Sequence, residues 1–381
     1  MKTPKAKHIV LLLLCFIVCT SCKTEKTKKP QVSKKIEVEF KPNIHTSHII
    51  ELFVWPGEYP TRPMVVKAQQ QFAPYKNHPA IKFSDSLLKN EIFYFDELTE
   101  ILLYVEDFPS SNFKYSLKNS PYASKINTIQ KWVDLLAKFY VDADVATFLK
   151  ENSDYYQNAK KEVLKNLPSK DFVQQIESYY RSNRIKYIIV PAPEMPTGGA
   201  YGQRGIGPYV YTDNGMEIYQ IISASLPVSI DSRTQTYKYF GFNNKEFTLR
   251  NSYHEFGHAF VNPALEIEKY KALVDSYEHL FTEELKRVML PQNYDSWFIC
   301  IAEHLVRLGE IRLAERSGQH EWAIELRKKH TKDLNFIFLP ELEEKIKLYE
   351  QDETIESFEA YLPELLSVLD AFNETMIAER I

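Results

Sequence analysis

Residues 253–263 read Tyr253-His254-Glu255-Phe256-Gly257-His258-Ala259-Phe260-Val261-Asn262-Pro263, and the spacing within them decides what kind of fold the chain needs. His254 and His258 stand four apart, so on an α-helix both imidazoles leave the same face. Two nitrogens so placed can grip one Zn2+, a metal that favours imidazole. Glu255 is offset around the helix from that direction. It is close enough to take a proton from water at the metal and pass it to a leaving amine without itself coordinating. Tyr253, Phe256, Ala259, Phe260 and Val261 give the helix apolar flanks, and Asn262-Pro263 offers a stop, because proline disfavours helix in the residue before it. A helix whose histidines are merely packed would show the same letters, so the reading needs a third ligand.

A catalytic zinc site usually has three protein ligands and one open position. The segment Trp297 to Ala314 is predicted to be a second helix, apolar except for Glu303, His304, Arg307 and Glu310. Charge inside an apolar helix is costly unless it is paired or bound to metal. Glu303, Arg307 and Glu310 fall on one stripe. Glu303 is the leading third ligand, with Arg307 orienting it or stabilising developing negative charge. Glu310 and His304 are the alternatives, and a plain Glu303–Arg307 ion pair would explain the same residues without metal.

His-Glu-Phe-Gly-His, followed after 44 residues by Glu303, resembles the gluzincin class of zinc metallopeptidases. More narrowly the chain is similar to an uncharacterised domain-of-unknown-function family of bacterial lipoproteins, through His78-Pro79-Ala80, Tyr201-Gly202 and Asn262-Pro263 beside the zinc-helix motif. It lacks the Asn-Glu-x-x-Ser-Asp element of the better-known gluzincins. The resemblance implies a zincin-like α+β fold, predominantly helical, with a small mixed sheet beside the motif helix. It also implies a Zn2+ cofactor, a peptide or protein substrate, and amide-bond hydrolysis assisted by Glu255. Tyr201, Tyr294 and Arg307 are the candidate donors to the oxyanion. The competing expectation is an inactive zincin-fold lipoprotein that only binds or serves the envelope, although such a binder would not need Glu255.

Working outward, Ile185 to Val190 is β-branched and apolar, and Glu217 to Ser223 is a second β-like run. The Pro- and Gly-rich segment between them carries Gly198, Gly199, Gly202, Gly205 and Gly207, so a small sheet is expected. A phosphate cradle would need a following Gly-Lys-Ser/Thr, which is absent. The catalytic region is placed at 185–381. Before it, 36–184 is expected to be mostly helical, from the three-to-four spacing in Ser84 to Tyr104 and Asn127 to Leu149. It opens with a strand, since Ile36-Glu37-Val38-Glu39-Phe40 alternates. His78 is read as structural.

The N-terminus reads as an export signal, 1–21. Lys2, Lys5 and Lys7 precede an almost wholly apolar stretch, His8 to Val18, too short for a comfortable span of about 20 residues. Cys19-Thr20-Ser21-Cys22 resembles a lipobox, which implies acylation of Cys22. Residues 22–35 would then be a tether. Expected localisation is the cell envelope, lipid-anchored at the outer membrane with the body extracytoplasmic. Cys300 alone would remain in that body, so no internal disulfide is expected. Twenty-three Phe and twenty-four Tyr supply apolar surface for a core, and a net charge of -4 offers no basis for nucleic-acid binding.

Overall fold

A computed structural model describes residues 34–55, 62–197, 202–234 and 236–381. The stretch expected to be an export signal, Cys22 and Tyr201 lie outside the described residues. Strand β1 (Ile36–Val38) leads into a run of helices: α1 (Pro42–Val54), α2 (Pro63–Phe72), α3 (Pro79–Lys89), α4 (Phe95–Leu102), α5 (Ile126–Asp142), α6 (Val145–Glu151), α7 (Ser153–Lys165) and α8 (Phe172–Tyr180). Strands β2 (Lys186–Pro191), β3 (Gly205–Ile206), β4 (Tyr209–Thr212) and β5 (Gly215–Ile222) follow, then a hairpin of β6 (Ser229–Ile230) and β7 (Tyr237–Tyr239). The remainder is helical: α9 (Lys245–Leu265), α10 (Glu268–Ser276), α11 (Glu283–Met289), α12 (Trp297–Arg316), α13 (His320–Lys328), α14 (Leu339–Gln351), α15 (Phe358–Leu366) and α16 (Glu374–Arg380).

The protein is therefore α+β and predominantly helical, built on one small mixed sheet. Its order is β1-β2-β5-β3, with β4 also on β5; β1, β2 and β5 are parallel, and β3 and β4 run antiparallel to β5. Successive side chains of a strand face opposite sides. Tyr187 and Ile189 pack into the layer that contains α8, α9 and α12, whereas Ile188 and Val190 pack into the layer of α1 to α6. A strand covered on both faces has no reason to alternate in polarity, which is why Ile185 to Val190 reads as a continuous apolar run. Residues Ser33–Ile381 form one compact unit. No helix among the described residues is long and apolar enough to cross a membrane.

Local breaks divide the long helical runs expected before the sheet. Asn90 to Tyr94 separates α3 from α4, with Glu91 at φ 54°, and Asp144 at φ 50° separates α5 from α6. His78 caps α3 by accepting from Ala80 N at 3.1 Å.

One expectation is corrected. Asn262-Pro263 does not stop the motif helix, because α9 continues to Leu265 with Pro263 inside it. Proline has no N–H for the carbonyl four residues earlier. That carbonyl, Ala259 O, instead accepts from Arg184 Nε at 3.0 Å and Nη2 at 2.8 Å. The guanidinium is buried and lies 4.1 Å from the centroid of the Phe260 ring. A side chain arriving from the start of β2 thus replaces the missing backbone donor.

Candidate metal centre

Helix α9 begins at Asn244, whose side chain accepts from Phe247 N, and packs across β5. Buried Gln220 of β5 fixes the crossing by accepting from Ser252 Oγ at 2.8 Å. The other wall is α12, capped by Ser296, with nearly every residue from Cys300 to Ala314 buried.

This packing brings His254, Glu255 and His258 together, their ligand atoms all within 4.8 Å of one another. The two Nε2 atoms are 3.3 Å apart. Glu303 reaches in from α12, its Oε1 3.3 Å from His258 Nε2 and its Oε2 3.8 Å from His254 Nε2. The outer nitrogens are engaged elsewhere: His254 Nδ1 is 2.7 Å from Glu310 Oε1, and His258 Nδ1 is 3.4 Å from Asn262 Oδ1. Glu310 beside His254 Nδ1 and Asn262 beside His258 Nδ1 occupy the outer side of each ring and leave the two Nε2 atoms facing Glu303.

Two ring nitrogens and a carboxylate then converge, and among the described residues Glu303 Oε2 accepts no hydrogen bond. Buried acceptors in that arrangement call for a cation. The imidazole and carboxylate donors suit zinc.

The electrostatics of the metal-free cluster agree. Burial opposes charge on His258, but Glu303 and Glu255 outweigh it and push its pKa up to about 9. Burial and the nearby Arg307 cation pull His254 down to about 4. Burial also works against ionisation of Glu303, yet His254, His258 and Arg307 hold its carboxyl well below the ordinary range. Burial raises Glu255 to about 8, with Glu303 and Asp96 adding to the effect and His258 and Arg307 opposing it.

Arg307, half-buried, lies between the two carboxylates. Its Nη1 donates to Glu310 Oε1 at 2.8 Å, and its Nη2 donates to Tyr294 Oη at 3.2 Å and lies 3.5 Å from Glu303 Oε2. Glu310 sits on the far side of His254, against Nδ1. His304 packs between Phe336 and Phe338, with Nδ1 2.7 Å from Cys300 O.

Strand β3 lies directly on α9. A Cβ at Gly205 would overlap Glu255 Oε1 and Asn251 Nδ2, and one at Gly207 would overlap the Glu255 backbone. Gly205 and Gly207 therefore serve close approach to the helix. The sequence signalled these glycines but not their use. Asn251, one turn ahead of His254, and His330, beyond α13, carried no signal in spacing.

The fold and the cluster together define a predominantly helical α+β protein with a His-Glu-His group able to hold a metal ion. Residues 50–368 match the family described as a domain of unknown function (DUF4932), and the chain belongs to that family. No curated protein and no solved structure matches it.

Proposed function

We propose that the protein is a zinc-dependent hydrolase, specifically a gluzincin-like metallopeptidase, in which His254, His258 and Glu303 hold the metal. The observation that carries this reading is the convergence, beside Glu255, of two Nε2 atoms and a carboxylate oxygen that accepts no hydrogen bond among the described residues. A zinc ion bound there supplies Lewis acidity, polarising a carbonyl oxygen and acidifying water.

Glu255 is the proton carrier. Its carboxyl has no hydrogen-bond partner among the described residues, and burial keeps its pKa near neutral, where a base can both accept and return a proton. It receives a proton from the attacking water and delivers it to the departing amine nitrogen. Both terminal nitrogens of Arg307 are engaged, by Glu310 and by Tyr294 with Glu303 close by, so it orients the cluster. Tyr294 receives an Arg307 N–H on its oxygen and keeps its own O–H to donate to the oxyanion. Tyr201 remains a candidate for the same task.

An extended peptide fits the edge of β3. Ser223 N donates to Arg204 O and Tyr219 N to Pro208 O, so in antiparallel alternation the N–H and C=O of Gly205 face away from β5. Backbone pairing to such an edge holds a peptide next to Glu255. The export signal and Cys22 support an enzyme lipid-anchored at the outer membrane, its body extracytoplasmic.

The test is metal content followed by turnover. The purified chain should bind one zinc and His258→Ala should lose it, while Glu255→Gln should keep zinc and abolish cleavage in a proteome-wide peptide profile. A chain that takes up no zinc would end the metal reading, and undiminished cleavage by Glu255→Gln would remove the peptidase mechanism.

A further inference from the structure

Resting on the metal reading above, we propose that His330 is a positioning residue for the ligand His254, acting through Glu310. Helix α13 ends in a π-helical turn, Lys329–Asp333, where Leu334 N donates to Lys329 O at 3.0 Å. A π turn inserts one residue and re-aims the side chains around it, often at functional sites. Here it turns His330 inward, leaving it 1% exposed, with Nε2 2.9 Å from Glu310 Oε2. The ring also meets Phe336 edge-on at 5.9 Å. Its Nδ1 has no partner, so the N–H belongs on Nε2, where Glu310 accepts it.

The geometry of Glu310 explains why that bond matters to the metal. Its Oε1 accepts from Arg307 Nη1 at 2.8 Å and lies 2.7 Å from His254 Nδ1. Two partners on a single oxygen leave the carboxyl plane free to turn about its last carbon–carbon bond. Among the described residues His330 is the partner of Oε2, and a contact on the second oxygen fixes the plane. A fixed plane fixes the oxygen set against His254 Nδ1, and with it the aim of the opposite ring nitrogen, Nε2. Hydrogen bonds of this kind to metal-bound histidine typically contribute 10- to 100-fold in metal affinity.

Anchoring outside the cluster keeps this arrangement rigid. Arg327, one turn before the π turn, holds both oxygens of Glu343 on α14 and one of Glu315 on α12. His330 therefore cannot follow Glu310 if that carboxyl drifts.

The experiment compares zinc affinity, by chelator competition, and the cobalt-substituted absorption spectrum for the wild-type full chain and for His330→Gln, His330→Asn and His330→Leu. Glutamine carries an amide N–H at the reach of Nε2, asparagine falls short, and leucine has no donor. The expected result is near-wild-type affinity for His330→Gln, roughly 10- to 100-fold weaker zinc binding for His330→Asn and His330→Leu, and a shifted cobalt band in those two. If His330→Leu fails to fold, the Gln–Asn comparison decides. Equal affinities and unshifted bands across the variants would overturn the assignment, as would equal weakening of all three. A wild type that binds neither metal would instead remove the metal reading on which it rests.

Discussion

Replacing Gly205 and Gly207 singly by alanine separates catalysis from folding at two sites two residues apart. No positive φ is involved at either, so steric overlap is what the substitutions test. At 205 the added methyl meets the tips of two side chains, Glu255 Oε1 and Asn251 Nδ2, with the next atom, Asn251 Cγ, at 3.1 Å. Side-chain tips can swing away, so the fold should lose only about 1–3 kcal/mol, the usual range for overpacking. The swing displaces the Glu255 carboxylate by on the order of 1 Å, and such a displacement of a catalytic group costs roughly 100-fold in rate, about 2.7 kcal/mol of barrier. At 207 the methyl meets the Glu255 carbonyl, with its C and Cα atoms both at 2.8 Å. Helix backbone cannot swing, and the cost should exceed about 3 kcal/mol. Thermal unfolding, zinc content and kcat on one peptide substrate read the difference. Gly205→Ala should fold, bind zinc and turn over about 100-fold more slowly, whereas Gly207→Ala should be grossly destabilised. A Gly205→Ala enzyme with wild-type kcat, or a Gly207→Ala chain as stable as wild type, would refute the close approach of β3 to Glu255.

Arg307→Met should cost the metal-free protein roughly 3–5 kcal/mol in denaturant unfolding, because Glu303 and Glu310 lose the cation between them; a loss below about 1 kcal/mol would contradict this. Buried Glu100 accepts from Tyr122 Oη at 2.9 Å and Tyr209 N at 3.1 Å, and burial raises its pKa to about 8 from 4.5. A raised folded-state pKa stabilises fully below the unfolded value and is lost as pH climbs through the folded one. Wild type should therefore lose stability relative to Glu100→Gln between about pH 5 and 8, by up to roughly 1.4 kcal/mol per pH unit, and parallel urea midpoints across that window would disprove it. His304→Leu should retain full zinc stoichiometry and change stability by about 1 kcal/mol or less, since its Nε2 is already unpartnered; loss of zinc would place His304 at the metal.

The sequence made the shared helical face of His254 and His258 readable because an i, i+4 pair is geometry that every α-helix imposes. Glu303 was readable for a different reason: an uncompensated carboxylate in the apolar run Trp297 to Ala314 demands a partner. The site of Glu310 was not readable, because Glu303 and Glu310 share a stripe and only the crossing of α9 and α12 decides which carboxylate meets Nε2 and which meets Nδ1. His330 depends on a π turn, which no periodicity announces. Strand β3 spans only Gly205–Ile206, too short for a two-residue period to register. The breaks at Glu91 and Asp144 rest on left-handed backbone at residues other than glycine, and the three-to-four spacing runs straight through both.

The bond from Arg184 to Ala259 O makes the last turn of the motif helix dependent on chain that is distant in sequence. An isolated peptide of residues 245–265 would have nothing to satisfy that carbonyl except water, and would fray toward His258. In the intact protein the turn can be completed only after the entry to β2 has docked, which makes assembly of the sheet a precondition for presenting His258 and Asn262 correctly.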